Sequence, residues 1–110
     1  MKTLTMLWKS NQIDWVPIKK IDSEKKFQVR NSDLDMNHHV NNTKYLEWMI
    51  ETIPENMNKK ISEVDIIFLR EGLYQDKIRS IAELNEEHTS HHQLINQDGE
   101  TIALATFSFV

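Results

Sequence analysis

A chain of 110 residues is long enough for one domain and too short for two with separate cores. Its 39% hydrophobic and 27% charged residues describe a soluble globular protein, and a net charge of -4 without a basic stripe gives no reason to expect a nucleic-acid partner. Cysteine is absent, which excludes disulfides, thiolate metal sites and a cysteine nucleophile; this fits a reducing compartment, and a cytoplasmic location is expected.

Residues 1–26 show no sustained period. Lys2 ahead of Leu4, Met6, Leu7 and Trp8 resembles the start of a signal peptide, but Lys9 cuts the apolar run short and no small-residue cleavage pattern follows. No segment approaches the roughly 18 apolar residues of a membrane span, so no membrane partner is expected. Residues 1–23 are read as an N-terminal arm or linker, which Trp8 and Trp15 could dock on a partner domain.

The first predicted strand is 26–30, with Phe27 and Val29 on one face. A polar stretch follows at 32–45, S-D-L-D-M-N-H-H-V-N-N-T-K-Y, which holds Asp33, Asp35, Asn37, His39, Asn41 and Asn42. In extended backbone the spacing of two would place Asp35, Asn37 and His39 on one side. Asn41 or Asn42 can cap the helix that follows, leaving free N–H groups around Val40, Asn41 and Asn42 beside that trio. A proton acceptor, a neutral amide, an imidazole and oriented N–H donors are the parts that acyl transfer requires.

The helix is predicted at 42–53 and stops at Pro54. Tyr45, Leu46, Trp48, Met49, Ile50 and Ile53 cover more than one stripe of it, so it is expected to be wrapped by other structure. Residues 54–62 form a polar connection. Lys59-Lys60 and the earlier Lys19-Lys20 are read as solvated charge, with contact to an acidic partner as the sharper alternative.

The period then changes to two. Val64, Ile66 and Phe68 alternate with Asp65, Ile67 and Leu69 up to Arg70 and Glu71, and Gly72 and Gln75-Asp76 mark a bend. Ile78, Ser80, Ala82 and Leu84 make one face of the next strand, 89–96 gives another, and Gln97-Asp98-Gly99-Glu100 is a hairpin signal before a last strand at 101–110. His88, His91 and His92 are read as surface histidines. Neighbouring strand residues point to opposite faces, so His91 and His92 do not chelate together, and neither a metal nor a cofactor is expected.

Strand, helix and four more strands make an α+β protein: a single hot-dog domain over 24–110, whose curled antiparallel sheet of about five strands wraps one apolar helix. Such a sheet leaves edges and a face to cover, so a homodimer or higher homo-oligomer is expected.

The run V-R-N-S-D-L-D-M-N-H-H-V-N-N-T-K-Y-L-E-W, residues 29–48, resembles the motif R-x-S-D-L-D-x-N-x-H-V-N-N-x-K-Y of the bacterial and plastid acyl-acyl-carrier-protein thioesterases. A second match lies at Leu69-Arg70-Glu71-Gly72. That family carries two hot-dog repeats in one chain, with catalytic residues in the second. The resemblance therefore implies that 24–110 is a second repeat, that the arm matches the inter-repeat linker, and that Asp35, Asn37, His39 and Glu71 fall on catalytic positions. His38 stands where the family more often has Gly or Gln, Asn31 where an aromatic is usual, and Gln75 where Gly is common; Gly72, in place of the cysteine of some members, excludes a thiol.

On that basis the expected reaction is hydrolysis of fatty acyl thioesters, with acyl-carrier protein as acyl donor and free fatty acid as product. Glu71 or Asp35 would be the general base, best served by an apolar surrounding, which Ile67 and Leu69 on the same face would give Glu71. Asn37 would hold water or the carbonyl, His39 would stay neutral at the positive end of the helix, and the N–H groups of Val40 to Asn42 would form the oxyanion site. Asp33 is read as structural. The alternatives are a homodimeric acyl-CoA thioesterase, a non-catalytic dimerisation or acyl-binding module, and a fragment of a two-repeat enzyme.

Overall fold

The computed structural model describes residues 18–54, 60–85 and 88–110, together with the strand formed by residues 3–8. Trp15, Lys59 and the side chain of Trp8 lie outside the described residues. The elements are β1 (Thr3–Trp8), β2 (Ser23–Gln28), a 3-10 turn (Asn31–Asp33), α1 (Asn42–Thr52), β3 (Ile61–Phe68), β4 (Lys77–Asn85), β5 (Thr89–Ile95) and β6 (Thr101–Phe109). The strands form one sheet in the order β1-β3-β6-β5-β4-β2. All neighbours from β3 to β2 pair antiparallel, and β1 alone runs parallel to its neighbour, β3.

α1 starts where Asn41 caps it: its side-chain oxygen accepts the Thr43 N–H at 3.0 Å and the Thr43 hydroxyl at 2.9 Å. It ends where Ile53 turns extended ahead of Pro54. Tyr45, Trp48 and Met49 face the sheet and join one core with Val64, Ile66, Phe68, Ile78, Leu94, Ala105 and Phe107. Phe27 of β2 stacks on Trp48 with ring centroids 5.8 Å apart. At the far end of the helix the buried Thr52 hydroxyl bonds to the Trp48 carbonyl and to the Ser80 hydroxyl, fastening α1 to β4.

Four features differ from the sequence reading. Residues 3–8 belong to the sheet, whereas no strand was predicted in the arm; their order appears only through pairing with β3, some 60 positions on in the register Thr3 to Glu63. The first predicted strand, 26–30, is shifted to Ser23–Gln28 because Val29 leaves the ladder to exchange bonds with the bend at Gln75 and Asp76. The helix is not wrapped all round: Ile50 is 42% exposed, and Leu46 and Ile53 are only partly buried. Finally, His92 is buried rather than on the surface. It sits in one cross-strand row with Ala82 and Ala105, whose small side chains leave room for the ring.

Candidate active site

Residues 34–40 fold into a tight hairpin, not the extended run that a spacing of two suggested. The Asp35 N–H bonds to the His39 carbonyl at 2.7 Å, the Asn41 N–H to the Asp33 carbonyl at 2.9 Å, and Leu34 faces Val40 between them. The His38 N–H closes the turn on the Asp35 carbonyl at 3.0 Å, and His38 adopts a left-handed φ of 62°. A turn followed by one left-handed residue is a common three-residue hairpin loop. It brings Asp35 and His39 side by side at its base and carries Asn37 to its tip.

Asp35 organises this hairpin. Its Oδ1 accepts the N–H of Asn37 at 2.8 Å and of His39 at 3.1 Å. Those N–H groups, His39 first and Asn37 second, hold its carboxyl below the usual carboxylate range. The buried Asp33 fastens the hairpin to its surroundings: Arg30 donates to its carboxylate through the backbone N–H at 2.8 Å and the guanidinium Nη2 at 3.1 Å, and Lys44 of α1 approaches to 3.8 Å. Burial pushes the Asp33 carboxyl upward, but the Arg30 bonds and the two cationic charges outweigh it and leave the group below its ordinary value.

Glu71 arrives from the end of β3. Leu69 and Arg70 both donate their N–H to the Ile102 carbonyl, at 2.8 and 3.2 Å, which fixes the strand exit. Glu71 Oε1 then lies 3.3 Å from His39 Nδ1. The two side chains are 49% and 55% exposed, so the apolar surrounding expected around Glu71 is not supplied by this chain. Next to Glu71, the Gly72 N–H donates to the buried Tyr45 hydroxyl at 2.7 Å. Burial raises the Tyr45 phenol, against the Gly72 bond and with the charges of Glu71 and Asp76 adding to the rise. Tyr45 counted only as an apolar helix position in the sequence; the signal for more is that a buried tyrosine hydroxyl requires a partner.

Asp35, His39, Val40, Asn41, Asn42 and Glu71 line one cleft of about 380 Å³, and Asn37 is not among its lining residues. The helix N-terminus can be accounted for donor by donor. Asn41 gives its N–H to Asp33, and Thr43 gives its own to the Asn41 side chain. Among the described residues, the N–H groups of Val40 and Asn42 have no acceptor. An imidazole beside a carboxylate, in a cleft lined by two residues with open N–H donors, has the parts to take a proton from water and hold an oxyanion.

A Ser/His pair lies in the core beside the sheet, where Ser90 Oγ is 2.8 Å from His92 Nε2 and the ring packs on Phe107 with centroids 4.5 Å apart. Burial, with the neighbouring His91 charge, lowers the His92 imidazole to about 3, far too weak a base for catalysis near neutrality, and its Nδ1 has no partner. Among the described residues no three metal-ligating side chains cluster.

Comparison with known proteins gives a consistent picture. The family described as acyl-ACP thioesterase C-terminal domain matches residues 18–110. The oleoyl-acyl carrier protein thioesterase of Coriandrum sativum chloroplasts is 31% identical over 77 residues, covering 67% of this chain and 21% of that protein. The dodecanoyl-[acyl-carrier-protein] hydrolase of Cinnamomum camphora chloroplasts is 38% identical over 52 residues, 46% of this chain and 14% of that one. The chain thus spans about a fifth or less of the length of these curated relatives. Among solved structures, the 12:0-ACP thioesterase of Umbellularia californica superposes with a TM-score of 0.81 at 23% identity, over 92% of this chain and 40% of that one. That likeness establishes the hot-dog fold.

Proposed function

Since the chain belongs to the family of acyl-ACP thioesterase C-terminal domains, we propose that it hydrolyses fatty acyl thioesters, with acyl-acyl-carrier-protein as substrate and free fatty acid as product. One observation carries the reading: a single cleft is lined by His39, whose Nδ1 lies 3.3 Å from the Glu71 carboxylate, and by Val40 and Asn42, whose N–H groups have no acceptor among the described residues. The names of the curated relatives support the carrier-protein thioester as the substrate.

In this mechanism His39 donates its Nδ1–H to Glu71, which leaves the Nε2 lone pair free. Nε2 takes a proton from water as the water oxygen attacks the thioester carbon, and Glu71 balances the resulting imidazolium. The former carbonyl oxygen becomes an oxyanion held by the N–H groups of Val40 and Asn42; donors of this kind are typically worth roughly 2.7–4 kcal/mol each. The C–S bond then breaks, and the imidazolium returns its proton to the thiolate. Asp35, its Oδ1 committed to two backbone N–H groups, keeps the hairpin in shape and leaves the proton transfer to His39 and Glu71. Asn37 lies outside the cleft lining and is given no step.

The half-exposed pair and the open flank of α1 at Ile50 support a second hot-dog unit over the site, either another copy of this chain or the first repeat of a longer one. Light scattering on the purified chain distinguishes a dimer from a monomer.

Turnover of acyl-carrier-protein and acyl-CoA thioesters tests the function. His39→Ala and Glu71→Gln are each expected to lower kcat by at least about 100-fold. Asp35→Asn keeps an acceptor oxygen for the hairpin, so its loss should fall well short of that, with Asp35→Ala more damaging. Equal damage from Asp35→Asn and Glu71→Gln would give Asp35 a part in the proton transfer as well. A marked preference for acyl-CoA would change the substrate, and a folded wild type that turns over neither would instead be an acyl-binding or dimerisation module.

A further inference from the structure

Glu71 has no rigid element beneath it. Upstream, the backbone is tied at Leu69 and Arg70, both bonded to the Ile102 carbonyl. Downstream, it is tied at Leu73, whose N–H donates to Asp76 Oδ2 at 2.8 Å. Between those ties, the one backbone bond among the described residues runs from the Gly72 N–H to the Tyr45 hydroxyl. The Gly72 nitrogen belongs to the same peptide plane as the Glu71 carbonyl, so holding that N–H sets the direction in which the Glu71 side chain leaves the chain.

Tyr45 is well suited to do this. It is 1% exposed, and its ring is locked between Trp48, edge-on at 5.8 Å, and Phe68 at 5.3 Å. The peptide is also closely fitted. A Cβ on Gly72 would come within 3.1 Å of Val40 Cγ2 and 3.4 Å of the Tyr45 hydroxyl oxygen, and the Gly72 backbone is not left-handed, so glycine here supplies space rather than conformation. Val40, which follows His39 in the chain, and Gly72, which follows Glu71, thus lie against one another.

We infer that Tyr45 is a positioning residue, a latch that acts through the Glu71–Gly72 peptide to hold the Glu71 carboxylate against His39. The inference rests on the roles given above to Glu71 and His39. Tyr45→Phe removes only the hydroxyl. It is expected to lower kcat by about 10- to 100-fold with KM little changed, the scale of a small misplacement of a catalytic group, and to shift the side-chain 15Nδ1 resonance of His39 in the isotope-labelled protein. Thr52→Val removes a buried hydroxyl bond at the other end of the same helix; it should lower Tm and leave both kcat and the His39 resonance at wild-type values. Gly72→Ala crowds the same peptide against Val40 and the Tyr45 hydroxyl and should reproduce the Tyr45→Phe pattern, which keeps the latch testable if Tyr45→Phe does not fold. A Tyr45→Phe protein that loses Tm but keeps wild-type kcat and the wild-type His39 resonance would overturn it. Absence of turnover in the wild type would overturn the function instead, while the His39 resonance would still decide the latch.

Discussion

His38 and Gln75 hold φ values of 62° and 71°, a region that costs a residue with a Cβ roughly 1–2 kcal/mol. Both are exposed. The turns need the conformation, one to close the hairpin that carries His39 and the other to lead from Glu71 into β4; the side chains do not provide it. Replacing either residue with glycine is expected to raise stability by on the order of 0.5–1 kcal/mol, the strain relieved less the extra freedom glycine gains in the unfolded chain. Urea denaturation of the two variants measures this, and a lower midpoint in both would mean that side-chain contacts hold these turns. The same two residues explain why the site geometry was only partly legible. Spacing placed Asp35 and His39 together correctly, but on the assumption of extended backbone. A left-handed histidine leaves no local mark in a sequence, so the hairpin that separates Asn37 from the cleft could not be read.

α1 serves the molecule twice, as core and as donor array, and its cap joins the two. Asn41 satisfies the Thr43 N–H with its side chain and gives its own N–H to Asp33, which leaves Val40 and Asn42 as the open donors. Asn41→Ala is expected to cost about 1 kcal/mol of stability, read from the thermal unfolding of the helix signal by circular dichroism, whereas Asn41→Asp should retain the cap. A null effect of Asn41→Ala would show that core contacts at Tyr45, Trp48 and Met49 alone set the start of the helix. The helix itself was readable because its signals are local: an asparagine before the apolar run and Pro54 after it. β3 to β6 were readable for the same reason, since a period of two survives in each. β1 was not, because a short strand ahead of Lys9 is ordered only by a parallel neighbour far along the chain. Pairing of that kind lies beyond any window of sequence.

At the scale of the whole molecule, the sheet determines what each histidine does. His91 and His92 are adjacent, and the pleat sends them to opposite faces: His91 reaches the Thr106 hydroxyl at 3.0 Å, and His92 goes into the core between Ala82 and Ala105. The burial of His92 depends on two alanines from two other strands, which is why a cluster of three nearby histidines looked like surface in the sequence. Its consequence is global. Because burial and the His91 charge lower the folded imidazole from 6.5 to about 3, the unfolded chain binds a proton below pH 6.5 that the folded chain refuses. The stabilisation is fully present above pH 6.5 and is lost as pH falls toward 3, at about 1.4 kcal/mol per pH unit and on the order of 5 kcal/mol in all. That is a large share of the 5–15 kcal/mol typical of a whole domain. Asp33 and Asp35, whose folded values are also depressed, add acid sensitivity of the same sign only near and below the ordinary carboxylate range. The window between pH 6.5 and about 5 therefore isolates His92. Urea denaturation across that window should give a slope corresponding to nearly one proton, and His92→Leu should remove that slope whatever it does to stability at pH 7. An unchanged slope in His92→Leu would place the acid sensitivity elsewhere in the molecule and would mean that burial does not hold down the core imidazole.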